Sequence, residues 1–217
     1  MFIGHWAPAL ALASRRKSAG IATLFLAGQL ADWVFFALVL AGIEKMRLTP
    51  GISVMNPMDL YHMPLTHSLL GSAVLSALFA WLLWGITRDR AIALTGGVVG
   101  LSHWFLDLLV HIPDLTLWGV PPKLGLALWN HPLIEMPLEL GLTFGALWYY
   151  AHKRRPGRPK VLMLALVLLV LQAINWFGPV EPEVTAGTSL LAFFAYGLAT
   201  ITAWWVGKSE GEAGRKG

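Results

Sequence analysis

The chain has 217 residues, of which 56% are hydrophobic and only 13% charged, with a mean hydropathy of +0.62. Soluble domains carry about a quarter charged residues, so this composition excludes an ordinary water-soluble globule and points to one polytopic membrane domain. There is no cysteine, which excludes disulfides, thiolate metal sites and cysteine nucleophiles, and leaves nitrogen and oxygen as the donors for any metal.

Six apolar runs follow in chain order: 21–43, 68–87, 91–111, 133–151, 161–177 and 188–206. Each approaches the roughly 20 residues that cross about 30 Å of hydrocarbon as a helix. A shorter run, 1–14, is too short to span and reads as an amino-terminal half-helix. Its positive charges, Arg15, Arg16 and Lys17, follow the apolar stretch, the reverse of a signal peptide. The expected fold class is therefore all-α: a membrane helical bundle of about six spans plus the half-helix, in one domain over 1–207. Residues 208–217 read as a disordered polar tail in the cytoplasm.

The net charge of +4 and pI near 9.6 are explained by where the charges sit. Alternate connections hold thirteen Lys and Arg on one side, and only Lys45, Arg47 and Lys123 on the other. That bias places both termini in the cytoplasm of a multi-pass protein, and nucleic acid is not implied.

Ionisable groups inside these runs are expensive in hydrocarbon and are functional candidates. Asp32 lies mid-way along the first run. His103, Asp107 and His111 lie in the third, and His131, Glu135 and Glu139 open the fourth. Four-residue steps keep each set on one helix face. At about 1.5 Å of rise per residue, Asp32 lies about 16 Å below the outer surface, His103 about 12 Å and Asp107 about 6 Å. Glu135 and Glu139 lie at about 4 and 10 Å, with His67 and His111 at the rim. His5 belongs to the amino-terminal run. All fall in one half of the membrane, where they can converge. Histidine with carboxylate suits Zn2+ or another divalent ion of similar chemistry. His62, Asp59 and Asp114 are supporting groups of a site or wet loop residues, while His152 sits among cytoplasmic basic residues, on the wrong side. Gly96-x3-Gly100 and Gly141-x3-Gly145 read as close helix packing.

The segments Pro64-Leu65-Thr66-His67-Ser68-Leu69-Leu70 and Leu101-Ser102-His103-Trp104-Phe105-Leu106-Asp107 resemble the bacterial inner-membrane metal-dependent hydrolases, a family also described as LexA-binding. The resemblance covers roughly residues 1–140. His5 and Asp32 fall where that family has an early His and an Asp, although this chain reads Leu30-Ala31-Asp32-Trp33 in place of Pro-Asp-x-Asp. The ligand order is also similar to that of zinc-dependent phospholipases C and P1-type nucleases. By that resemblance Asp32, His67, His103 and Asp107 hold one ion, and Asp107 bridges to a second held by His5. A third would then lie on His111, His131 and Glu135, with His62, Asp114 and Glu139 in support. The implied function is a hydrolase in the bacterial inner membrane. It would use one or more Zn2+ ions on a lipid-like ester or phosphodiester near the outer leaflet, with Asp32 orienting or deprotonating the attacking water. A transporter of cations or protons is the alternative on the same residues. A bis-histidine haem protein and a regulatory partner of LexA type are further readings; oligomeric state is not encoded.

Overall fold

The computed structural model describes residues 1–179 and 181–213, with side chains described as far as Lys208. Eight α-helices dominate it: α1 (Ala7–Ala13), α2 (Ile21–Gly28), α3 (Leu30–Leu40), α4 (Leu69–Thr87), α5 (Arg90–Val110), α6 (Pro132–Arg154), α7 (Arg158–Phe177) and α8 (Ala186–Ala213). A 3-10 turn, Ile3–Trp6, leads into α1. Two small antiparallel hairpins, β1 (Lys45–Leu48) with β2 (Met58–His62) and β3 (Leu115–Thr116) with β4 (Lys123–Leu124), cap one end of the bundle.

Among the described residues four helices are long and apolar enough to cross a membrane: α4, α5, α7 and α8 over Ala186–Lys208. The first apolar run is not one helix. It breaks at Gln29 into α2 and α3, bent by 51°, and together the pair passes the same test. α6 is 23 residues long, but its two glutamates lower its apolarity below that of the others. α8 continues as helix to Ala213, so the first residues of the tail are helical and not disordered; residues 214–217 lie outside the described residues.

Local chemistry sets the helix ends. Ser68 caps α4 by accepting from Gly71 N–H at 3.0 Å, and Asp89 caps α5 through Ala91 N–H at 2.7 Å. Prolines sit in the first turns of α1, α6 and α7, where their missing N–H costs nothing. At one end of the bundle cationic side chains lie over aromatic rings, Arg88 over Trp84 at 5.5 Å and Lys160 over Trp205 at 5.1 Å, as at a bilayer interface.

α4 and α5 pack closely through glycine. A Cβ on Gly100 would meet Ser76 Oγ at 2.8 Å, and one on Gly97 would meet Ala80 Cβ at 3.1 Å. Gly141 and Gly145 do not serve this purpose: no neighbour lies within 4 Å of a Cβ there, because that face of α6 turns outward.

The amino-terminal turn is drawn into the bundle by polar groups. Glu139 Oε1 accepts from Phe2 N–H at 2.6 Å and Gly4 N–H at 2.9 Å, and its Oε2 from Gln172 Nε2 at 2.9 Å. Gln29 Nε2 donates to the Phe2 carbonyl at 3.1 Å. Glu139 is thus the carboxylate that docks residues 2–4, an anchoring job which its position in the sequence does not reveal. Trp6 completes the dock, donating to the Phe25 carbonyl at 3.0 Å and stacking on that ring.

Candidate metal centre

Three helical segments and one loop deliver the site. The docked turn carries His5, α3 carries Asp32, the loop before α4 carries His67, and α5 carries His103 and Asp107, with His111 just beyond its last turn. All but Asp32 are buried. Their ligand atoms gather around the two carboxylates. Asp32 Oδ1 lies 3.3 Å from His67 Nε2 and 3.5 Å from His103 Nε2. Asp107 Oδ2 lies 3.0 Å from His103 Nε2 and 3.6 Å from His67 Nε2. On its other side Asp107 Oδ1 meets His5 Nε2 at 3.0 Å, His111 Nε2 at 3.3 Å and the Met1 nitrogen at 3.0 Å.

The orientation of the imidazoles decides what this cluster is suited to hold. His103 Nδ1 lies 2.8 Å from the Gly28 carbonyl, which can only accept, so Nδ1 carries the proton. The carbonyl is available because the helix breaks there, and Gly28 must be glycine: a Cβ would meet the His5 carbonyl at 2.7 Å. His111 Nδ1 lies 3.0 Å from Asp114 Oδ1, again an acceptor.

For His67 the acceptor is indirect. Thr66 Oγ1 donates its only proton to Glu44 Oε2 at 2.5 Å, so at 2.8 Å from His67 Nδ1 that oxygen must accept. Glu44 is itself held by Leu65 N–H and Thr66 N–H, at 2.8 and 3.0 Å. In all three rings the Nδ1 proton is tied back, so that in the neutral imidazole the Nε2 lone pair faces a carboxylate. A lone pair aimed at a carboxylate is satisfied either by a proton on the ring or by a metal ion bound between the two, and the cluster is suited to both.

The donor set suits a divalent ion, and three ligands at a time are close enough to share one. Bonds of about 2.0–2.1 Å put the ligand atoms of a tetrahedral site about 3.3 Å apart. The four separations around Asp32, His67, His103 and Asp107 run from 3.0 to 3.6 Å. His103 Nε2 and Asp107 Oδ2 are buried and, though 3.0 Å apart, have no hydrogen-bond partner; they point at a shared space. Among the described residues the convergent groups are Asp32–His67–His103 and His5–His103–Asp107, joined through His103.

Other residues read as site candidates fall differently. Asp114 supports His111. Glu135 is buried with both oxygens unpartnered and faces the same cavity as Asp107 and His111. His131 is exposed where α6 begins, so the structure does not assemble His111, His131 and Glu135 into a convergent group. His62 is exposed on β2, and Asp59 pairs with Arg47 at 2.6 Å on the surface. His152 is exposed against Trp148. Not read from the sequence were Glu44, Thr66, Gln29, Gln172 and Tyr196, whose hydroxyl donates to Asp32 Oδ2 at 3.2 Å. A Thr directly before a ligand His was the one available signal among them.

Thr66→Val keeps the shape but removes the acceptor for His67 Nδ1. Loss of such a support costs about 10–100-fold in metal affinity. Competition with a chromophoric chelator should show that loss in Thr66→Val and near-normal affinity in Thr66→Ser.

The chain matches no family model, no curated protein and no solved structure.

Proposed function

We propose that this chain is a membrane-embedded, metal-dependent hydrolase that cleaves an ester or phosphodiester in a lipid-like substrate. The observation that carries the reading is the set of imidazoles with Nδ1 tied back and Nε2 turned toward Asp32 and Asp107. The histidine and carboxylate donor set and the resemblance of the His67 and His103–Asp107 segments to inner-membrane metal-dependent hydrolases support Zn2+ as the ion. Asp32, His67, His103 and Asp107 would hold the first ion, and Asp107 Oδ1 with His5 and His111 a second. Held there, such ions supply an acidic water for attack and neutralise charge on the scissile group.

The protein's own residues do the rest. Asp32 is the carboxylate with partial access to the cavity, and the Tyr196 hydroxyl fixes its Oδ2. In this reading that oxygen would orient the attacking water or take its proton. Trp129 packs on His111 at 4.2 Å and shields that side from solvent. The finer topology belongs to the same reading. α2 with α3, then α4, α5, α6, α7 and α8, form six spans in a bacterial inner membrane, with Arg15–Lys17 and the carboxyl terminus cytoplasmic and the site toward the outer leaflet. The amino terminus itself is not cytoplasmic as the charge bias had it, because Met1 is buried in the bundle with its nitrogen 3.0 Å from Asp107 Oδ1. The thirteen-to-three Lys/Arg bias supports this orientation of the spans.

One observation favours a second reading, a transporter: the break at Gln29, beside the site, is the discontinuous helix that ion pathways use. Metal analysis of the purified protein, followed by a panel of phosphodiester and carboxyl-ester lipids with and without a chelator, separates the two. Bound zinc and chelator-sensitive hydrolysis are expected. Bound metal without hydrolysis, but with metal flux into vesicles, would establish the transporter instead.

A further inference from the structure

The candidate metal centre forms one wall of a cavity of about 320 Å³, near the lower end for small-molecule sites. Between α7 and α8 its lining is mostly apolar, with Phe35 and Phe36 from α3, Leu171 from α7 and Ala195 from α8, and with Asn175 and Thr188 as the polar side chains of that end. Three further residues look both ways. Ile174 of α7 and Leu191 and Phe194 of α8 line the cavity, yet they are 54%, 60% and 65% exposed. On a spanning helix such surface faces hydrocarbon, so these three form a rim between cavity and lipid.

None of the residues lining the cavity is Lys or Arg. An anionic group would find no cationic side chain at that end, and a hydrated ion would exchange its water for little more than the neutral Asn175 and Thr188. A hydrocarbon chain is in its own solvent on both sides of the rim. The whole cavity, polar end included, corresponds to about ten groups of water size at about 30 Å³ each, the scale of part of one chain.

We propose that this apolar arm is a side port, open between α7 and α8, that seats one hydrocarbon chain of a membrane lipid with its polar group against Asp32 and Asp107. The port rests on the hydrolase reading for what happens to the polar group, but not for the seating of the chain. It makes the substrate class a lipid that tilts one chain into the bundle from the leaflet, rather than a water-soluble ester.

The test is photolabelling of the full chain in detergent, using a phospholipid with a diazirine midway along one acyl chain. Labelled residues are mapped by peptide mass. Phe36 and Leu171 are buried and so out of reach of lipid on the outer surface, whereas Leu166 and Leu190 are exposed controls. Labelling of Phe36 and Leu171, lowered at least fivefold by Ala195→Phe with the controls and the zinc content unchanged, is expected. Should Ala195→Phe fail to fold, Leu191→Trp narrows the rim and takes the same readout. Labels confined to the outer surface, or labels on Phe36 and Leu171 that neither variant lowers, would overturn the port. Labelling that persists in a protein without zinc or hydrolysis supports the port and removes the enzyme. Lipid hydrolysis without labelling at Phe36 or Leu171 does the reverse.

Discussion

Asp107→Asn should strip the protein of metal, leaving less than a tenth of the wild-type zinc after purification. Asp107 is the one side chain that faces both nitrogen groups, with His67 and His103 on Oδ2 and His5 and His111 on Oδ1. An asparagine keeps the volume but offers one neutral oxygen, and its amide nitrogen would point at imidazole lone pairs. Both candidate ion positions lose their shared ligand together. Removing one partner from a buried charged network also costs about 3–5 kcal/mol, so the melting temperature should fall as well. His152→Ala, on the exposed far end of α6, should change neither quantity. His131→Ala should likewise keep its zinc, since His131 is exposed. Elemental analysis beside a thermal melt reads all four proteins, and full zinc occupancy in Asp107→Asn would end the metal proposal.

Asp32→Asn should separate binding from chemistry. Asp32 reaches His67 and His103 through Oδ1 only, while Oδ2 is held by Tyr196. The amide can still place an oxygen toward the two histidines, so zinc should be reduced but retained. A neutral amide cannot take a proton from water, and loss of a general base costs about 10²–10⁴ in rate. Turnover per bound zinc should therefore fall about a thousandfold on any lipid the wild type cleaves. Tyr196→Phe, which removes only the hydrogen bond to Asp32, should lower turnover by a smaller factor and leave zinc unchanged. A turnover per zinc in Asp32→Asn within tenfold of wild type would remove Asp32 from the chemistry.

The sequence placed His5, Asp32, His67, His103, Asp107 and His111 in one half of the membrane, but the constant helical rise spread them from the rim to about 16 Å. In the structure Asp32 Oδ1 lies 3.3 Å from His67 Nε2, because the first run bends by 51° at Gln29 and is not a straight helix. Depth says nothing about rotation between helices. That is why Glu139, at the right depth and on the right helix, docks residues 2–4 instead of supporting the metal ligands. It is also why His131, which precedes the helix and sits at the surface, stays apart from His111. The glycines divide for the same reason. Gly96 and Gly100 face α4, whereas Gly141 and Gly145 face outward, and their spacing is identical.

The amino-acid sequence by itself determined that this chain is a helical membrane bundle, which segments are apolar, and which buried ionisable residues demand partners. These follow from local quantities: hydropathy, length against bilayer thickness, and the cost of charge in hydrocarbon. Tertiary structure alone decided the break at Gln29 that frees the Gly28 carbonyl for His103. It also decided the Glu44–Thr66–His67 chain across 23 residues of sequence and the apolar arm between α7 and α8. Each depends on which helix faces which. In a membrane that choice rests on side-chain packing and a few buried hydrogen bonds, since the hydrophobic effect draws helices into the bilayer and does little to pair them there.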